Sequence, residues 1–320
     1  MTVTDLNPAP PICVLHDGAA GNRRQALALA QALGGPVREL PLDADWLART
    51  LAPRCPPGAG ARLGQPFAEL LAKPPALAIG CGRIAALATR LLKQAGSRSV
   101  QILDPRIDPR HWDVVITPEH DGLCGDNVIT LIGSLHPIDD DWLGRARGDF
   151  PALGRLPGPR TAVLLGGRTR AVGFDRSAFE VLMSKLEFWL ARDGGSVLLC
   201  GSRRTQKDII SVARERFSEM PGALWLDAGD GENIYPGALA WADRIIVSPD
   251  SVNMISEACA TRAPVFIAEP DRATGRVRRF IASLEARGRV QAQTRDGGSI
   301  VAAEPLMELP RVVTELRARL

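Results

Sequence analysis

The 320-residue sequence lacks most of the features that identify common protein classes. Its six cysteines include no CxxC pair and show no paired framework, a pattern typical of a reducing cytosol. Thirty-nine lysine and arginine residues nearly balance 36 acidic residues, so the charge does not indicate a nucleic-acid partner. No apolar run approaches the ~20 residues that cross a bilayer. The opening letters, MTVTDLNPAPP, resemble neither a secretory signal nor a mitochondrial presequence. We therefore expect a cytoplasmic protein.

Several catalytic motifs are also missing. The sequence has no GxGxxG, no GxxxxGK[ST] and no HExxH, so it predicts neither a dinucleotide fingerprint, nor a P-loop, nor a metal site. The single tyrosine, Tyr235, is followed by Pro236 and has no lysine at the YxxxK spacing. This argues against a dinucleotide-dependent sugar epimerase. We expect no metal and no tightly bound cofactor.

What is present is a regular alternation of short apolar runs with helical patterns. The predicted strands are Ile12–His16, Val37–Leu40, Ala76–Gly80, Val100–Asp104, Val114–Thr117, Val128–Ile132, Thr161–Leu165, Val197–Cys200, Leu224–Asp227, Arg244–Val247 and Val265–Ala268. The predicted helices are Asn22–Leu33, Arg83–Gln94, Asp175–Arg192, Gln206–Phe217, a short piece near Pro236–Ala242, Val252–Thr261, Val277–Arg287 and Pro310–Leu320. Unbroken apolar strands between helices are typical of a parallel sheet covered on both faces.

The pattern occurs twice and predicts an α/β protein of two Rossmann-like parallel-sheet domains facing across a cleft. The stretch 140–159 is rich in glycine and proline, as linkers are. We place the domains at 1–145 (acceptor side) and 160–305 (nucleotide-sugar donor side). A linker, 146–159, lies between them, and a last helix, 306–320, is placed to pack back on the first domain.

The most informative stretch is Ile245–Pro264, in which an apolar strand runs through Ser248, Asp250 and Ser251 directly into a helix. The backbone N–H groups and dipole at such a helix start attract an anion, often a phosphate. Glu257 lies two turns in, too deep to cap the helix, and could meet a sugar hydroxyl. The alternative is an ordinary capped helix with an incidental glutamate.

Two loops of the second half fit a phosphate for a different reason. Gly166, Gly167, Arg168 and Thr169 follow one apolar strand, and backbone N–H groups with a cationic fork suit a phosphate. The segment Ser202–Thr205, with Ser202 and Arg203, follows the next strand. Its hydroxyls could instead cap the following helix.

The first half carries three polar strand ends. His16 and Asp17 follow the first strand, where open α/β sheets place ligands. The residues that continue these ends on the predicted acceptor side are Gly18, Gly21, Asn22, Arg83, Glu119 and His120. Asp17 or His16 is the candidate base, and a plain tight turn is the alternative.

Taken in order, HDGAAGNRRQA, GCGR, ITPEHDG, LLGGRTR and SPDSVNMISEA resemble the elongated-mitochondria fission protein family over nearly the whole chain. Without a presequence, the chain looks like the bacterial branch of that family. The second half also resembles the donor domain of GT-B glycosyltransferases. That resemblance implies that Glu257 binds the ribose hydroxyls of a nucleotide, while Ser251 and Asn253 face its phosphates.

The leading hypothesis is a metal-independent transferase that uses a nucleoside-diphosphate sugar and an acceptor still to be identified, with Arg168 stabilising the leaving diphosphate. The alternative is a non-catalytic interaction protein at a membrane surface, as the fission role of the plant relatives implies. The arginine cluster 272–279 fits either a solvated helix face or an anionic contact, so a peripheral contact with the inner membrane stays open. The sugar, the acceptor and the oligomeric state also stay open.

Overall fold

A computed structural model describes residues 11–320, and these residues form two compact units. The first unit runs to His136 and also contains Glu308–Leu320, whereas the second is Pro137–Met307. Each unit is built on its own six-stranded, fully parallel sheet.

The first sheet has the order β2-β1-β3-β4-β5-β6. Its strands are β1 Ile12–His16, β2 Val37–Pro41, β3 Leu77–Cys81, β4 Arg98–Ile102, β5 Val114–Pro118 and β6 Val128–Leu131. Its helices before the chain leaves the unit are α1 Ala20–Leu33, α2 Trp46–Leu51, α3 Gln65–Ala72 and α4 Arg83–Gln94. Alternate residues of β1 enter opposite cores, with Leu15 on one face and Val14 on the other. The sheet is therefore covered on both sides, as its unbroken apolar strands require.

The second sheet has the order β12-β11-β10-β7-β8-β9. Its strands are β7 Arg160–Leu164, β8 Ser196–Cys200, β9 Gly222–Trp225, β10 Arg244–Val247, β11 Val265–Ile267 and β12 Val290–Ala292. Its helices are α5 Asp140–Asp149, α6 Arg176–Asp193, α7 Lys207–Phe217, α8 Tyr235–Trp241, α9 Val252–Cys259 and α10 Gly275–Ala286.

The chain's last helix, α11 (Leu309–Arg319), belongs to the first unit. Val312 and Leu316 are fully buried in the same core as Val14. The Glu308 carboxylate accepts a hydrogen bond from the backbone N–H of Ile132, and Arg311 donates to the Thr130 carbonyl at 2.6 Å. Apolar burial and polar anchoring at the end of β6 together fix this helix on the first sheet.

Two buried arginines hold the second unit together away from its loops. Arg244 donates to the Thr161 hydroxyl at 2.8 Å and to the Asp193 carboxylate at 2.7 Å. Arg289 donates to four backbone carbonyls at and just beyond the end of α9, among them that of Thr261 at 2.7 Å. Because a helix end leaves carbonyls unpaired, Arg289 serves as the C-terminal cap of α9.

The α/β class and the two parallel sheets are confirmed, and each predicted strand and helix is present within two residues of its predicted ends. Four elements were not predicted: α2, α3, α5 and the three-residue edge strand β12. The stretch whose composition is typical of a linker contains α5. Asp139 caps that helix, and Leu143 and Ala146 are buried along it, which stabilises it despite its two glycines.

Candidate functional site

Each sheet has one point where the strand order reverses, and open α/β sheets bind ligands beside such a point. In the first sheet the chain leaves β1 for β2 on one side and later returns to β3 on the other. In the second sheet β8 and β10 flank β7 in the same way. Most predicted site loops follow these strands, so topology places them at the two reversal points, whereas the loop of Glu119 and His120 follows β5.

In the second unit the two glycine N–H groups are bonded to side chains of the next loop. The backbone N–H of Gly166 donates to the Ser248 hydroxyl at 2.8 Å, and that of Gly167 donates to the Asp250 carboxylate at 2.9 Å. The Ser248 hydroxyl donates in turn to Asp250 at 2.6 Å. The loops after β7 and β10 are thus fastened to each other, and a phosphate at these N–H groups would have to displace Asp250.

The loop after β8 joins this network through its hydroxyls. Ser202 donates to the Gly166 carbonyl at 3.0 Å, and Thr205 donates to the same carbonyl at 2.7 Å. The Ser202 N–H donates to the Thr205 hydroxyl at 2.8 Å. Ser202 therefore fixes the Gly166 loop. The capping of the following helix that the sequence also allowed is not formed, because the N-cap of α7 is Gln206 and no side chain caps it.

The arginines around this network differ in whether they form an ion pair. Arg204 pairs with Asp250 at 2.9 Å, although its own side chain is 46% exposed. Arg168 and Arg203 are exposed and form no ion pair within 4.0 Å among residues 11–320. Thr169 is half-buried, and its N–H donates to the Val172 carbonyl at 3.0 Å. Two cations on neighbouring loops are therefore available to an anion at this edge.

Helix α9 begins at Ser251, whose side chain accepts from the Met254 N–H. Asn253 lies half-buried in the first turn. Glu257 is 2% exposed and accepts a hydrogen bond from the Tyr235 hydroxyl at 2.5 Å. Sequence reasoning missed Tyr235 as a site residue, because its 22-residue separation from Glu257 has no motif.

In the first unit His16 is 3% exposed and both of its ring nitrogens are engaged. Nδ1 lies 3.0 Å from the Gly18 N–H and must accept from it, which leaves the ring proton on Nε2, 3.0 Å from Glu39. Arg23 binds the same carboxylate and, with His16, lowers the pKa of Glu39. His16 therefore fixes the loop after β1.

Asp17 is half-buried and more open than His16. Its Oδ1 accepts from the Ala19 N–H at 3.1 Å and from the Asn22 amide at 3.2 Å. A Cβ on Gly82 would stand 2.4 Å from that same amide, so the glycine of the GCGR motif makes room for Asn22. The structure thus brings the loops after β1 and β3 together.

The other predicted acceptor residues spread along the edge. Gly18 is exposed at φ +83°, and Gly21 lies in the first turn of α1. Arg83 donates to the Arg49 carbonyl at 2.6 Å. Glu119 and His120 follow β5, three strands from β1, or ~14 Å along the sheet. The structure therefore does not gather Glu119 and His120 beside Asp17.

With this geometry established, comparison with known proteins identifies the family. The sequence profile of mitochondrial fission ELM1 matches residues 20–320. The chain belongs to the mitochondrial fission ELM1 family. The match begins after His16 and Asp17, so these two residues lie outside it.

An Arabidopsis thaliana family member, mitochondrial fission protein ELM1, is 28% identical over 77% of this chain. The matched region spans 64% of that protein's length, somewhat less than two thirds.

Two solved structures share the fold. UDP-GlcNAc 2-epimerase from Methanocaldococcus jannaschii is 12% identical with a TM-score of 0.59, and the match covers 96% of this chain and 99% of that one. The UDP co-structure of S. aureus MnaA is 12% identical with a TM-score of 0.53, covering 96% of both chains. At such identities the likeness shows the GT-B-like fold of this ELM1-family chain and nothing more.

The described residues show neither a metal cluster nor a membrane-spanning helix. Across residues 11–320, no three histidine, cysteine, aspartate or glutamate side chains cluster in a way that would hold a metal ion. Over the same residues, none of the helices combines the length and the apolar character needed to span a bilayer.

Proposed function

We propose that this ELM1-family protein is a metal-independent GT-B-type glycosyltransferase that uses a nucleoside-diphosphate sugar. The observation that carries the proposal is the basic edge at the reversal point of the second sheet. There Arg168 and Arg203 stand exposed on adjacent loops, beside the start of α9. Guanidinium groups and a helix N-terminus together favour a diphosphate.

In the proposed site each part of the donor has its own partner. Arg168 and Arg203 pair with the diphosphate, and Ser251 and Asn253 face it from the start of α9. Glu257 accepts from the ribose hydroxyls, and the Tyr235 hydroxyl keeps the carboxylate in position. The M. jannaschii neighbour is named for a UDP-sugar and the S. aureus neighbour holds UDP, which supports a nucleotide-sugar ligand on this fold.

The proposed reaction moves one proton and breaks one bond. The acceptor hydroxyl oxygen attacks the anomeric carbon, its proton passes to the Asp17 carboxylate, and the bond to the diphosphate oxygen breaks. The charge that develops on the leaving diphosphate is stabilised by Arg168 and Arg203. Asp17 is the better base because both nitrogens of His16 are already committed.

Nucleotide binding is the first test. Melting temperatures would be measured with UDP-, GDP-, ADP-, CMP- and TDP-sugars, since a ligand of the folded state raises the melting temperature by mass action. We expect a shift for one nucleotide class that Glu257→Ala and Arg168→Ala weaken. Glu180→Ala, which removes an exposed carboxylate elsewhere in the second unit, is the control. No shift for any nucleotide in the wild type would reject the proposal.

The commitment of His16 to its loop also favours a second candidate, a non-catalytic binding protein at a membrane surface. The Asp17→Asn variant separates the two. If Asp17 is the base, this variant binds nucleotide normally and loses transfer to acceptors in a cell extract, or slow donor hydrolysis. If the wild type binds nucleotide and shows neither activity, sedimentation with anionic and neutral vesicles tests the second candidate.

A further inference from the structure

The carboxylate of Asp250 is fully buried, and donors surround it on three sides. The Gly167 N–H donates to it at 2.9 Å, the Ser248 hydroxyl at 2.6 Å and the Arg204 guanidinium at 2.9 Å. Backbone N–H, hydroxyl and guanidinium are the groups that proteins use to bind phosphate. The Asp250 carboxylate thus lies where the glycine-loop sequence predicts the phosphate of a ligand.

The two glycines are shaped to this carboxylate and to the Arg204 backbone. A Cβ at position 166 would stand 2.1 Å from Asp250 Oδ2, and one at position 167 would stand 1.9 Å from the Arg204 carbonyl oxygen. Neither gap admits any side chain. The glycine pair is therefore explained by close contact with the neighbouring loops, without a ligand.

The outer side of this arrangement is open. Arg204 is 46% exposed although it pairs with a buried carboxylate, and Arg168 and Arg203 are exposed beside it. A phosphate that binds Arg204 comes close to the buried Asp250 carboxylate, whose negative charge opposes the approach. At a separation of about 4 Å such a repulsion is worth several kT even with protein-like screening.

We infer that Asp250 is a built-in occupant of an anion site formed by Gly167, Ser248 and Arg204, and that it keeps small anions out. Free phosphate or pyrophosphate cannot replace its three bonds. A ligand with further contacts can draw Arg204 outward onto its own phosphate. The inference deepens the proposed donor site and rests on the proposed function for the identity of that ligand.

The test uses inorganic pyrophosphate, whose binding does not depend on a nucleoside pocket. Isothermal titration would compare the wild type with Asp250→Asn, which removes the charge at nearly constant shape, and Asp250→Ala, which also empties the space. We expect both folded variants to bind pyrophosphate at least about tenfold more tightly than the wild type. Arg204→Ala added to either variant should return the affinity to the wild-type level.

Asp271→Asn is the matched control, because Asp271 is a 94% exposed carboxylate of the same unit and its removal makes the same change in net charge. Equal pyrophosphate affinity in the wild type and both Asp250 variants, or equal tightening by Asp271→Asn, overturns the inference. Failure of this inference and failure of the proposed function give different results. Tightening without nucleotide binding keeps the inference and rejects the transferase, and nucleotide binding without tightening does the reverse.

Discussion

The two units share one architecture and differ in what they place at the reversal point of the sheet. In the first unit the polar groups there are hydrogen-bonded within their own loops and strands: His16 is bonded to Gly18 and Glu39, and Asp17 to Ala19 and Asn22. In the second unit the anion is buried and the cations Arg168 and Arg203 face outward. The same topology therefore presents exposed arginines without an ion pair at one edge and hydrogen-bonded polar side chains at the other.

The two units also differ in whether a single continuous segment of the chain forms them. The first unit needs α11 from the far end of the sequence, whereas the second is continuous. Leu316→Ala should cost the first unit about 3 kcal/mol, because the side chain is fully buried in its core. Hydrogen exchange followed by mass spectrometry would show lost protection in the strands of the first sheet only. Leu284→Ala, equally buried in the second unit, should give the opposite pattern. Equal loss in both units with either variant would show that they unfold as one.

A smaller effect separates the two glycine loops. Gly167→Ala should destabilise the protein by about 2–3 kcal/mol, since its Cβ meets a backbone carbonyl that cannot move alone. Gly18→Ala meets no atom within 4 Å and should cost only about 1 kcal/mol, the penalty of its φ of +83°. Urea denaturation measures both. Similar losses would contradict the contrast between a packed loop and an open one.

The buried arginine of the second unit gives a pH-dependent prediction. Hydrogen bonds from Arg192 and Arg244 lower the pKa of Asp193 from 3.8 to about 2. The stabilisation is therefore present above about pH 4 and is lost as the pH falls toward 2. Asp193→Asn should cost on the order of 1–2 kcal/mol at pH 7, because Arg244 loses a charged partner. The gap to the wild type in urea denaturation should close below pH 4, and a gap independent of pH would refute the assignment.

The smallest expected effect is a difference in thiol reactivity between the buried cysteines of both units and the more exposed cysteines. Burial raises the pKa of Cys13 to about 11 and of Cys259 to about 12, and it also raises the pKa values of Cys81 and Cys200. Because the thiolate is the reactive form, these four should resist a disulfide reagent at pH 8. Exposed Cys124 should label first and half-buried Cys55 more slowly. Peptide mapping would reveal any early labelling of Cys81, which would contradict its burial.

The sheets could be predicted because buried parallel strands leave unbroken apolar runs, and some of the helices between them, such as α1 and α6, end at a glycine. The missed elements carry weaker signals. Helix α2 has six residues, β12 has three, and α5 holds two glycines and gains its stability from Asp139 and from packing on α8. Whether such segments form a helix or a strand depends on tertiary contacts, and these cannot be inferred from a single sequence.

For the site, the sequence located the loops and could not determine their bonds. It favoured phosphate at Gly166 and Gly167, yet both N–H groups are taken by residues more than 80 positions away. It left His16 and Asp17 as equal candidates, and the burial of His16 with its contacts to Gly18 and Glu39 distinguishes them. Residue types indicate which groups could bind a ligand at a sheet edge. Whether those groups are already hydrogen-bonded depends on residues from loops that are distant in the sequence.

The placement of α11 has a consequence for the order in which the protein is made. Ile132 and Glu308, bonded to each other, are 176 positions apart. During translation the first sheet emerges early, while the helix that covers one of its faces leaves the ribosome only after the whole second unit has been synthesised. The second unit can close its core first. Until then the part of that face which α1 does not cover stays exposed to solvent, and exposed apolar surface makes the nascent chain prone to aggregate.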